Sequence, residues 1–194
     1  VNRQLHALLS TVGKFKADLM KERIADINPE CEVISLNMFY TEETYETFFS
    51  YGLDYVIDAS DTISYKIHLM KECLRRDIPL ISSMGAANKM DPTRFQIADI
   101  SKTHTDPLAK VIRTRLRKEG IRKGITVVFS DESPIVIRED VRKVVGNDKA
   151  EIRKAKMPPS SNAFVPSVAG LIAASWVFKE ITKDIKITRM SDDK

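Results

Sequence analysis

Phe15, Leu19, Ile24 and Ile27 fall close to helical spacing, which predicts a first helix over Lys14 to Ile27. Asn28-Pro29 ends it, because a proline disfavours helical backbone in the residue before it. Glu32 to Leu36 (EVISL) reads as a strand. Thr41 to Phe49 predicts a short helix with Thr41 as N-cap and Thr44 at the third position, so no capping box is complete. Asp54 to Ala59 (DYVIDA) is a continuous β-branched and apolar run, the pattern of a strand central in a parallel sheet. A helix over Thr62 to Arg76 and a strand over Pro79 to Ser83 follow. After the small-residue turn Gly85-Ala86-Ala87, Phe95 to Ile100 reads as another strand. Pro107 to Glu119 is the best-marked helix: Asp106 can cap it, Pro107 suits its first turn and Gly120 can end it. Ile125 to Phe129 is a strong strand, and Val168 to Ile181 an apolar final helix.

Helices alternating with strands imply an α/β fold, Rossmann-like, with a largely parallel sheet flanked by helices. Residues 131–162 hold Pro134, Gly146, Pro158, Pro159 and Ser160-Ser161-Asn162, and read as a loop-rich excursion. The expected organisation is a main α/β domain over 1–130 with 131–194 as its C-terminal extension, closed by the tail Asp192-Asp193-Lys194.

Composition narrows the classes. The 194 residues suit one domain, and 43% hydrophobic with 30% charged residues argues against wholesale disorder. A net charge of +4 is a mild basic bias that permits a nucleic-acid partner without demanding one. Cys31 and Cys73 are too few for a disulfide framework or a four-thiolate zinc site. Both read as buried thiols in apolar-rich elements, which suits a reducing, cytoplasmic setting. No apolar run approaches the roughly 20 residues of a membrane span. The chain opens on Val1-Asn2-Arg3, which reads as an internal start.

Ligands of open α/β sheets bind at the carboxyl ends of the strands. Three segments qualify. Asp58-Ala59-Ser60-Asp61-Thr62 ends the DYVIDA strand; Asp61 suits either a helix cap or a carboxylate that holds Mg²⁺ beside nucleotide phosphates. Arg3 and Lys16 are a planar fork and a compact charge, both apt for phosphate oxygens, or else two solvated cations. Ser101 to Pro107 is a polar run with His104 before a helix, and reads equally as a capping loop. Between Lys110 and Lys123 the only acid is Glu119, and Arg113 and Arg117 form an i, i+4 pair on the expected outer face. Like charges at that spacing cost stability, so a polyanion is one explanation and a solvated face the other. No GxSxG elbow or HExxH helix is present, which leaves serine hydrolase and zinc protease chemistry without support.

Several segments together carry a resemblance. NRQLHAL from Asn2, Thr11 to Lys16, Ile27-Asn28-Pro29 and DASDT from Asp58 resemble, in order and spacing, the nucleotide site of ubiquitin-activating-enzyme-like (ThiF-type) adenylyltransferases. Within that superfamily, the run from Ile81 to Leu108, RTRLRKEGI and SNAFVPSVAGLIAAS look like the tRNA threonylcarbamoyladenosine dehydratases. The resemblance implies ATP and Mg²⁺ as cofactors and a tRNA substrate. ATP would adenylate the carboxylate of the threonylcarbamoyl group, and an internal nitrogen would then expel AMP. It further implies that Arg3 and Lys16 meet the ATP phosphates, that Asp61 binds the magnesium, and that Gln4 and the segment Asn37 to Phe39 lie near the nucleotide. Homodimerisation and sulfur-transfer proteins are the partners it adds. Charge alone assigns Arg113, Arg117, Lys118, Arg122 and Lys123 to the tRNA, with Lys102 and His104 nearer the modified base. Family members begin with a strand, a glycine-rich phosphate loop and a ribose-binding acid; the sequence holds none of these, so 1–130 is expected to be the remainder of an ATP-binding domain with weakened ATP binding. The rivals are an adenylyltransferase for a ubiquitin-like sulfur carrier, which has no need of a basic helix, and an inactive tRNA-binding or interaction module.

Overall fold

The computed structural model describes residues 3–136 and 160–186. Four strands, β1 (Val56–Asp58), β2 (Leu80–Ser83), β3 (Phe95–Asp99) and β4 (Thr126–Ser130), form one sheet in the order β1-β2-β4-β3. The first two pairings are parallel, with Val56 opposite Leu80 and Ile81 opposite Thr126. β3 runs antiparallel to β4, with Ile97 opposite Val128. Among the described residues the α-helices are α1 (Lys16–Ile27), α2 (Tyr45–Phe49), α3 (Ile63–Arg75), α4 (Pro107–Lys118) and α5 (Val165–Ile181).

The sheet is covered on both faces. Leu80, Val127 and Phe129 pack with Ile67, Met70 and Cys73 of α3 and Ile112 and Leu116 of α4. Ile81 and Val128 point the other way, into Val165, Ala169 and Ala173 of α5. Successive strand residues alternate between faces, so a strand covered on both sides must be apolar throughout, as the buried run from Val127 to Ser130 is for all but its last residue. α4 begins and ends as its sequence predicts. Asp106 accepts a hydrogen bond from the Ala109 amide at 2.9 Å. At the other end Gly120, at φ 84, lets Ile121 N–H reach Leu116 C=O at 2.9 Å, closing a Schellman turn.

Several expectations are corrected. Residues 32–36 form no strand. Local β propensity makes a strand only where a partner ladder exists. Here the segment is tied to α1 by side chains instead: Ser35 Oγ and Asn37 Nδ2 donate to the two carboxylate oxygens of Asp18 at 2.6 and 2.8 Å. These donors hold the Asp18 carboxyl below its usual range. β1 is shorter than DYVIDA and, among the described residues, lies at the sheet's edge rather than its centre. α2 starts three residues late, with Thr44 rather than Thr41 as its N-cap, because Thr41 to Thr44 form a turn in which Thr44 Oγ1 bonds back to the Phe39 carbonyl at 2.6 Å. α5 starts three residues early, since Pro166 is tolerated in a helix's first turn. Cys73 is buried as expected, and burial together with nearby Asp58 and Glu72 pushes its thiol up to about 12. Cys31 is exposed: it follows the Asn28-Pro29 turn, which carries the chain away from the core. Most of the 131–162 excursion and the whole 192–194 tail lie outside the described residues.

Candidate functional site

Three parallel strands end on one side of the sheet, at Asp58, Ser83 and Ser130. Beside the end of β1 lies a cleft of about 410 Å³, walled by Phe39, Phe48, Asp58, Ser60, Asp61 and Tyr65 among others. Phe39 is 85% exposed, an open aromatic face at the cleft's rim. Asp61 is also exposed. The capping alternative for this loop fails: the N-cap of α3 is Thr62, and Ser60 Oγ turns back to Asp58 Oδ1 at 2.7 Å.

Beneath the cleft lies a buried polar cluster that the sequence reading missed. Lys66 Nζ donates to Asp58 Oδ2 at 2.6 Å, to Ser82 Oγ at 3.1 Å and to the Ser83 carbonyl at 3.1 Å. Ser82 Oγ donates to the same Asp58 oxygen at 2.6 Å. The Lys66 side chain has no exposed surface. Burial drives its ammonium pKa down, and the charges of Asp58 and Asp61 only partly offset this. The signal was in the sequence: Lys66 shares the buried stripe of α3 with Ile67, Met70 and Cys73, where a charged residue needs a partner.

A second buried lysine stands across β2. Lys89 Nζ donates to Asp106 Oδ2 at 2.9 Å and to the Ser130 carbonyl at 3.1 Å. The preceding residues, Asn88 and Thr105, have φ of 57° and 60°, a left-handed conformation unfavourable for a β-branched threonine. Asn88 also gathers two distant parts of the chain: its carbonyl accepts from Ile135 N–H and its amide donates to the Ser160 carbonyl, both at 2.7 Å.

The structure brings Phe39 and Asp61 into one cleft. Asn37 is instead bonded to Asp18, one turn into the helix that Lys16 begins, so Asn37 and the start of α1 are neighbours. Lys16, Gln4, Arg3 and Asn37 are not among the residues that wall the cleft. Arg3 and Lys16 are exposed, and Gln4 is half-buried. Of the basic set, Lys102, His104, Arg117, Lys118, Arg122 and Lys123 are exposed. Arg113 departs from the outer-face expectation. Its guanidinium donates to the Thr103 carbonyl at 2.8 Å and also bonds the Thr103 hydroxyl, because Thr103 lies under the start of α4.

Among the described residues, no group of three or more His, Cys, Asp or Glu side chains could cage a metal. Asp58 has both oxygens engaged, which leaves Asp61 as a single carboxylate at the cleft. That fits Mg²⁺, which is commonly held by one or two carboxylates together with substrate phosphates rather than by an all-protein cage. No helix among the described residues is long and apolar enough to cross a membrane.

A mostly parallel sheet with an aromatic and acidic cleft at its carboxyl edge defines an α/β protein of the nucleotide-handling kind. The chain belongs to the ThiF family, whose model matches residues 1–191. It is 82% identical over 192 residues to the tRNA threonylcarbamoyladenosine dehydratase of Bacillus subtilis, an alignment covering 99% of this chain and 76% of that protein. It also resembles the tRNA N6-threonylcarbamoyladenosine dehydratase of Escherichia coli solved with ATP, with a TM-score of 0.76, 33% identity, and coverage of 93% of this chain and 69% of that one. The same enzyme solved with AMP gives a TM-score of 0.76 and 34% identity, with the same coverage.

Proposed function

We propose that this chain is the catalytic body of an ATP-dependent tRNA threonylcarbamoyladenosine dehydratase. The observation that carries the reading is the joining of Phe39 and Asp61 in one cleft at the carboxyl edge of a ThiF-family sheet. ATP transfers its adenylyl group to the threonylcarbamoyl carboxylate and releases pyrophosphate. An internal nitrogen of the same group then attacks the acyl carbon, a ring closes and AMP leaves, so the nucleoside ends one water lighter. A carboxylate is a poor acyl donor until its oxygen becomes part of such a leaving group. The protein's task is to hold the reactants and to balance phosphate charge as it shifts.

In this reading Phe39 offers its open ring to the adenine. Arg3 and Lys16 supply cations to the phosphates, with Gln4 and Asn37 close to that end of the site. Asp61 faces the phosphates and would hold Mg²⁺, which adds charge neutralisation there. The exposed cations Lys102, Arg117, Lys118, Arg122 and Lys123, with His104, form the tRNA-facing surface. Arg113 supports that surface by bracing Thr103. A tRNA substrate supports a cytoplasmic setting for the protein. We read 131–194 as an extension of the same domain, supported by the packing of α5 on β2, β3 and β4. Leu171 and Phe178 lie seven residues apart on α5 and, with Ile181 one turn further on, are 69, 67 and 63% exposed. This stripe supports a homodimer, and Leu171→Glu with Phe178→Glu should turn a dimer into a monomer by sedimentation; a monomeric wild type rejects it.

The test of the activity is direct. Incubate threonylcarbamoylated tRNA with the protein and ATP, digest it and weigh the nucleosides. A species one water lighter, formed only with ATP, is the expected result; its absence rejects the assignment.

A further inference from the structure

Lys66 is fully buried, and no step of the chemistry above uses it. Burying an ammonium ion is costly, and hydrocarbon replacements of buried ion pairs are often neutral or stabilising. Stability alone therefore gives no reason for a lysine in the apolar stripe of α3. Its position supplies one. Nζ bonds to Asp58 at the end of β1 and to Ser82 and Ser83 at the end of β2, so it ties two strand ends to one helix. The far oxygen of Asp58 accepts from Ser60 N–H at 2.9 Å and from Ser60 Oγ at 2.7 Å. Only residues 59–61 separate Asp58 from the N-cap Thr62, so fixing Ser60 leaves Asp61 little freedom. Asp58 and Ser60 wall the cleft and Lys66 does not, so Lys66 acts through them.

We propose that Lys66 is a positioning residue of the nucleotide site: through Asp58 and Ser60 it fixes the short loop that presents Asp61 to the metal-bound nucleotide. The proposal rests on the reading of Asp61 as the carboxylate facing the phosphates. It assigns the neighbouring Asp58 a different job, since both of its oxygens are engaged in the framework. A misplacement of about 1 Å at such a site is enough to cost about a hundredfold.

The test is ATP affinity, measured by calorimetry with and without Mg²⁺, beside a melting curve. Lys66→Met leaves Asp58 charged and unpaired and will melt early. Asp58→Asn with Lys66→Met removes both charges, and the exposed Ser60→Ala leaves the core untouched. In the neutral pair, Mg²⁺-free ATP affinity should stay within about twofold of wild type while the Mg²⁺-dependent gain falls about tenfold. Ser60→Ala should show a smaller loss of the same gain. A merely structural role would move the melting temperature and both affinities together. A folded neutral pair, or Ser60→Ala, with the wild-type Mg²⁺-dependent gain overturns the proposal. Wild-type protein with no such gain overturns the reading of Asp61 itself, and the proposal with it.

Discussion

Lys89 Nζ and Asp106 Oδ2 are 2.9 Å apart, both side chains are almost wholly buried, and each residue follows a non-glycine residue with positive φ. The pair welds the loop after β2 to the start of α4. Removing one partner strands the other charge in the interior, a change that costs about 3–5 kcal/mol. Lys89→Met and Asp106→Asn should each lose that much in urea titrations, and Asp106→Asn also weakens the cap on Ala109. The double variant should lose clearly less than the sum, as expected for groups in direct contact. Additive losses would show that the pair is not coupled.

Asp61 is exposed and does not serve as the N-cap of α3. Asp61→Asn should therefore melt with wild-type protein while ATP-dependent turnover falls by about a hundredfold or more. Retained turnover with Mg²⁺ would remove Asp61 from the nucleotide site.

Arg113 and its basic neighbours should separate by assay. Lys118→Glu, Arg122→Glu and Lys123→Glu together should weaken tRNA binding and flatten its salt dependence by about one log unit per lost phosphate contact. Arg113→Met should lower the melting temperature, because Thr103 loses its brace, and should leave the salt slope nearly unchanged. A large slope change from Arg113 alone would restore it to the tRNA surface.

Asp99 accepts hydrogen bonds from Ser101 N–H at 2.8 Å and Gly124 N–H at 2.6 Å. Partial burial raises its carboxyl pKa, but these donors and the charge of Lys102 outweigh that and hold it below its usual value. A lowered folded-state pKa contributes stability that is present above the unfolded value of about 3.9 and lost as pH falls through the folded one. Asp99→Asn should thus be less stable than wild type at pH near 7, with the gap closing below about pH 4. A gap that persists in acid would assign the effect to the amide's geometry rather than to charge.

The sequence made legible whatever depends on local pattern. The cap at Asp106, the stop at Gly120 and the apolar run of β4 are each written within a few residues. Glu32–Leu36 has the propensity of a strand but, among the described residues, lacks the partner a strand also requires, and Ser35 and Asn37 bond instead to Asp18, seventeen and nineteen positions away. Asp61 stands out as a carboxylate at a strand end and Phe39 only through the resemblance, and the fold alone joins them in one cleft. Lys66 was visible as a cation within an apolar stripe, although its three partners lie on two strands. Lys89 sits in a loop with no periodicity to mark it, and Arg113 looked outward because helical spacing says nothing about the loop beneath it.

Asn88 receives the chain at Ile135 and again at Ser160. The two ends of the intervening stretch are thus moored to one post, next to the Lys89–Asp106 weld. The entropy of closing a chain between two fixed ends grows only as the logarithm of its length. Lengthening or shortening the chain between Ile135 and Ser160 should therefore leave the sheet, the cleft and the register of α5 where they are.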